Sequence, residues 1–154
     1  MIGIRIKVKN LDNVLRSVNN LAEKIVNPDE KLLRRLGDVG VEDIDQRFMT
    51  RGYGTWPELS PETIKRKGHD NILIDSGAMF ASVRITSLQP HHVEIAVPYG
   101  GKKHNEMVPV YHQQGTRKMP QRKIIDVTSK LTSAIGTAAQ LWISDMIKAF
   151  HHSV

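Results

Sequence analysis

The chain has no cysteine in its 154 residues. That excludes a disulfide framework, a thiolate metal site and a cysteine nucleophile, and it gives no sign of an oxidising compartment, so a cytosolic location is the default expectation. Aromatic residues are scarce, at 5% of the chain. Tyr53, Tyr99 and Tyr111 do not interleave with basic residues as a base-stacking platform requires, which disfavours single-strand recognition. Long apolar runs are also missing. The most apolar stretch, Leu131 to Phe150, is interrupted by Thr132, Ser133, Gln140, Asp145 and Lys148, which a membrane-spanning helix tolerates poorly. No phosphate-cradling glycine loop, dinucleotide fingerprint or nucleophile elbow is found.

What is present fits one domain over residues 1–154, with 40% hydrophobic and 25% charged residues and a net charge of +6. Ile2, Ile4, Ile6 and Val8 alternate with polar or small residues, the period of a half-buried strand over Met1–Asn10 rather than of a secretion signal. Asn10 then caps a helix whose apolar positions Leu11, Val14, Leu15, Val18, Leu21, Ala22 and Ile25 recur at three and four residues. Asn27 and Pro28 have the character of an N-cap and first helical position. The helix they open runs to about Met49, with Gly37 and Gly40 as weak points or sites of close packing.

From Thr50 to Asn71 glycines and prolines punctuate a long irregular excursion, regular only in a short helix opened by Ser60 and Pro61 and pinned by Trp56 and Leu59. Asp75 is expected to cap a short turn. Val83–Ser87 and Val93–Val97 alternate on either side of Gln89-Pro90-His91-His92, predicting an antiparallel hairpin. Met107 to Gln113 is β-branched enough to predict a further strand, with Pro109 at an edge or bulge. From Thr128 a third long helix carries Leu131, Ile135, Ala138, Trp142, Met146 and Ala149 on one stripe, with Gly136 among small residues that allow close packing. The order predicts an α+β fold: a small, mainly antiparallel sheet packed by two N-terminal helices and one long C-terminal helix.

The seven histidines show no metal-ligating helical spacing with a carboxylate, and Glu42, Asp43 and Asp45 beside Arg47 fit a solvated helix face. These residues predict no enzyme, no metal and no cofactor. Charge is more informative. Between Gly100 and Lys123, Lys102, Lys103, Arg117, Lys118, Arg122 and Lys123 face Glu106 alone, so this stretch holds a net +5 of the chain's +6. Cationic side chains on loops neutralise phosphates without reading bases, or line an ion-pair rim between subunits. A rigid turn at Pro120 suits Arg122 to pair with a neighbour's carboxylate or with phosphate.

Five segments in order, Arg47-Phe48 with Gly52, Trp56 to Ser60 with Thr63 and Lys67, Ile72 to Gly77, Tyr111 to Gly115, and Met119 to Arg122, resemble the tailed-phage virion morphogenesis or tail-completion family. The positions that carry the resemblance are Phe48, Trp56, Ser60, Thr63, Asp75, Gly77, Tyr111, His112, Gly115, Pro120 and Arg122. Gln114, Met79 and Lys123 depart from the usual pattern. The resemblance implies a structural protein of the phage neck or tail end, assembled in the host cytoplasm, that completes the tail or joins it to the head. It also implies a homo-oligomeric ring, a hexamer with head-to-tail interfaces, in contact with other neck and tail proteins and with double-stranded DNA in the channel. No membrane and no cofactor are implied. A tail terminator capping the tail tube, or a basic double-stranded-DNA-binding protein, is the alternative.

Overall fold

The computed structural model describes residues 11–99 and 107–151. The strand expected over Met1–Asn10, the cap at Asn10, and Lys102, Lys103 and Glu106 lie outside the described residues.

The organising element is α2, Glu30–Met49. Its N-cap is Asp29, whose carboxylate accepts from Leu32 N at 2.9 Å. The helix therefore begins two residues later than expected at Asn27-Pro28. An aspartate both satisfies an orphan N–H and places negative charge at the positive end of the helix dipole. α2 buries Leu32, Leu33, Ile44 and Phe48 along one face.

That face receives a two-stranded antiparallel hairpin of β1, Arg84–Gln89, and β2, His92–Ala96. Gln89 pairs with His92, so Pro90 and His91 alone make the turn. Proline followed by a residue at φ 61° is type II turn geometry. A register irregularity between Ile85 and Ser87 places both Ser87 and Leu88 part-buried, interrupting simple alternation. α5, Ser129–His151, packs on α2 and buries Ala138 and Trp142, and α1, Leu11–Val26, packs on α5. The fold is thus α+β, with helices around a small antiparallel sheet. Among the described residues no helix is long and apolar enough to cross a membrane.

Gly37 and Gly40 are sites of close packing. A Cβ at Gly37 would lie 2.5 Å from Ile85 Cδ1 and 3.0 Å from Val93 Cγ1, and one at Gly40 would lie 2.3 Å from Ile95 Cδ1. The helix approaches the hairpin this closely because neither glycine has a side chain. Gly136 in α5 is different: a Cβ there meets nothing within 4 Å, so the close packing expected around it is not made. Gly37→Ala should therefore destabilise by about 1–3 kcal/mol through overpacking, despite the gain in helix propensity. Gly136→Ala should stabilise by about 0.5–1 kcal/mol. Urea denaturation of both variants checks the contrast, and a stabilised Gly37→Ala would contradict the close approach.

Two local expectations are corrected. Met107–Gln113 is not a strand; residues Val108–Gln114 form the helix α4, with Pro109 in its first turn, where the missing N–H has no intrahelical partner to lose. Asp75 does not cap the following turn. The N–H of Ala78 points to Ser76 Oγ at 3.4 Å, and a 3₁₀ turn forms later, at Phe80–Ser82.

The core lies beneath the hairpin and the irregular excursion. Ile44, Phe48, Trp56, Ile72, Met79 and Ile124 form one buried cluster, with Leu59, Ile74, Phe80 and Val97 packed against it.

Candidate functional site

The excursion leaves α2 by a run of left-handed residues, with Arg51, Gly52, Tyr53 and Gly54 at φ between 54° and 78°. Gly52 is required there twice over. Its φ is 68°, and a Cβ would meet the Trp56 ring at 2.3 Å. This turn drops Trp56 into the core, edge-on to Phe48 with ring centroids 5.8 Å apart.

Around it, the segments that looked separate in sequence are tied together by hydrogen bonds. The Trp56 indole donates to Lys123 O at 3.1 Å. Arg122 donates from Nε to Pro57 O at 2.9 Å and from Nη2 to Glu58 O at 3.0 Å. Its own backbone N–H donates to His112 O at 2.8 Å. Gln113 Oε1 accepts from Ile124 N and Ile125 N, its amide donates to Ile125 O, and Gln121 donates back to Gln113 O. The strap of residues 120–125 has no strand neighbour, so its backbone is held by the Trp56 and Gln113 side chains and by His112 O.

α3, Pro61–Lys67, is opened by Ser60, whose Oγ accepts from Thr63 N at 3.2 Å. It ends at Gly68 with Lys65, Arg66 and Lys67 in its last turn, where cations suit the dipole. α4 ends at Gly115, at φ 75°, where a Cβ would press on Gln121 N at 3.0 Å. Thr116 and Met119 then close a tight turn that carries Arg117 and Lys118 at its exposed tip.

Between α3, the Asp75–Met79 segment, α4 and this turn lies a cleft of about 630 Å³. Arg122, Lys67 and His112 border it, together with the apolar side chains of Leu59, Leu73 and Met79. Val108 and His112 both face it, four residues apart on α4, which a helix permits and a strand does not. Burial, and then the charges of Arg122 and Lys67, hold the His112 imidazole below its ordinary value. Its Nδ1 is buried without a hydrogen-bond partner. Lys67 is likewise pushed down, first by burial, and Asp75 partly opposes this.

A pH dependence follows. Below about pH 6.5 the unfolded chain takes up the His112 proton before the native chain does, so stability falls with pH until the lower native value is passed. His112→Gln should flatten the slope of stability between about pH 5 and 7. Urea midpoints measured across that range check it; an unchanged slope would mean that the imidazole titrates as freely as in the unfolded chain.

The basic residues expected to face DNA or a partner divide. Arg117 and Lys118 are exposed. Lys123 is half-exposed and lies 3.5 Å from Asp126. Arg122 is only 4% exposed and braces the excursion, so it does not reach out to a neighbour. Of the other positions carrying the resemblance, Phe48 and Trp56 are core, while Ser60 and Thr63 form the α3 cap. Asp75, Gly77, His112 and Pro120 line the cleft, and Tyr111 is 39% exposed on α4.

A buried charge pair was also missed. Asp43 and Arg47 are not on a solvated face: Arg47 Nε donates to Asp43 Oδ2 at 2.8 Å, with both side chains under 8% exposed. Tyr53 donates to Asp43 Oδ1 at 2.9 Å, and Arg47 Nη2 donates to Asp126 O. Arg47 and Lys130 both lie against the Tyr53 ring. Burial, then the Asp43 hydrogen bond, raises the Tyr53 hydroxyl above its usual value. The four-residue spacing of Asp43 and Arg47 was the available signal, but it is equally the signal of a surface pair.

Among the described residues no group of three His, Cys, Asp or Glu side chains is placed to hold a metal ion. No family model, curated protein or solved structure matches the chain.

Proposed function

We propose that this chain is a structural protein of a tailed-phage neck or tail end, which assembles as a ring of its own copies to complete the tail or join it to the head. The observation that carries this reading is the convergence of the five family-like segments on one another. Phe48, Trp56 and Ile72, from the first three segments, share one buried cluster, and Arg122 of the fifth donates to Pro57 O and Glu58 O of the second and, from its backbone, to His112 O of the fourth.

Apolar side chains left on the outer helices support self-assembly. Leu15, Val18, Ile25 and Val26 of α1 are 46–67% exposed, as is Leu141 of α5 at 47%. An apolar stripe of this kind on a helix is what an interface between copies covers. The role is architectural, with no catalytic step and no cofactor, and it places the protein in the virion.

The test is the mass of the purified protein by light scattering at low and high salt, with and without random-sequence double-stranded DNA. A closed ring of roughly six copies, lost on replacing Leu15 and Val18 by aspartate, is the expected result. A monomer or dimer that binds DNA with steep salt dependence overturns it in favour of a basic DNA-binding protein using Arg117 and Lys118.

A further inference from the structure

Arg122 is a buried cation with no ion-pair partner among the described residues. Its Nε and Nη2 go to uncharged carbonyls. Burial is costly for a guanidinium without a counter-charge, and here burial lowers its pKa. Lys67 adds to the positive charge there, and Arg122 acts on it as a like charge. Lys67 Nζ has one hydrogen bond, to Asn71 O at 2.6 Å, which leaves it further donors.

Two acids border the same cleft and neither forms an ion pair with Arg122, although the charge of Glu58 partly opposes the effect of burial on it. Glu58 is 71% exposed and turns to Arg51 at 3.4 Å, while Asp75 is exposed at the rim, acting on Lys67 through its charge without an ion pair. Arg66 and Lys118 add further positive charge at the edge. The cleft is also lined by the apolar side chains of Leu59, Leu73 and Met79.

We propose that this cleft binds a small carboxylate with an apolar body, its carboxylate between Lys67 and the unused Nη1 edge of Arg122 and its body on Leu59, Leu73 and Met79. A volume of about 630 Å³ lies within the range of sites for small ligands. One negative charge offsets the surplus that the Arg122 guanidinium creates. A multiply charged inorganic anion matches the cations but leaves the apolar side chains uncovered, and Asp75 repels it more strongly. This site goes beyond an assembly role and does not depend on it.

The test uses N-acetyl-leucine as the probe and the His112 imidazole proton resonances as the reporter. A saturable shift is expected, together with a rise in the His112 pKa on binding, because the bound anion favours the imidazolium. N-acetyl-leucinamide, with the same body and no charge, should not bind, and inorganic phosphate should bind more weakly. Lys67→Gln should weaken N-acetyl-leucine about tenfold with an unchanged circular dichroism spectrum, since the residue's hydrogen bond is at the surface. Arg122 is left intact because its loss threatens the fold. No saturable shift, an equal response to the amide or to phosphate, or an unaffected Lys67→Gln would each overturn the assignment.

Discussion

Replacing Trp56 by alanine lowers the unfolding free energy by about 3–5 kcal/mol, the range for emptying a large aromatic site in a core. The ring is 6% exposed, meets Phe48 edge-on, and covers Gly52 so closely that no side chain fits beneath it. Its indole N–H also holds Lys123 O, so the change opens a cavity and frees the strap of residues 120–125 at one point. Trp56→Phe separates the two effects: it keeps most of the ring and loses the donor, for a smaller cost of about 1–2 kcal/mol. Urea unfolding followed by far-ultraviolet circular dichroism gives both numbers, and Trp142, 9% exposed in α5, remains as a fluorescent probe. A loss below about 0.5 kcal/mol for the alanine variant would mean that Trp56 is not core and is an anchor for a partner.

Arg47→Met has an effect of the same size for a different reason. It leaves the Asp43 carboxylate buried with the Tyr53 hydroxyl as its remaining donor. Removing one member of a buried pair typically costs about 3–5 kcal/mol, most of it the desolvation of the charge left behind. Asp43→Leu strands the guanidinium in the same way, with Asp126 O and the face of the Tyr53 ring as its remaining partners. The double variant should be clearly more stable than the sum of the two losses predicts, because no uncompensated charge is then buried. Strict additivity in that cycle would show that the two side chains do not meet. The singles also loosen the junction of α2 with the start of α5, since Tyr53 carries Lys130 over its ring.

The helices were legible because their apolar residues repeat at helical spacing over many turns. α1, α2 and α5 are recovered to within a few residues of their expected ends. The hairpin was legible from two alternating runs and a proline turn, and the α3 start from Ser60-Pro61, a local capping signal. Local rules were less decisive where two candidates stood side by side. Asn27 and Asp29 are both good caps, and the helix takes the one whose carboxylate reaches Leu32 N. Seven residues from Met107 were too few for periodicity to separate a β-branched strand from a short helix. α4 is settled by what its far end must do, which is to place Gln113 against the backbone of Ile124 and Ile125.

By itself, then, the sequence determined the number and nature of the long elements, the α+β class, the hairpin and the absence of any disulfide, since each depends on neighbours in the chain or on composition. Tertiary structure alone decided which charges are buried. Asp43 and Arg47 have the spacing of a surface pair, and Arg122 lies in the most basic stretch of the chain, yet all three are inside. Their burial depends on Tyr53, Pro57, Glu58 and Asp126, partners up to 79 residues away. Desolvation is set by everything that surrounds a group in space, and no local pattern in the chain encodes that.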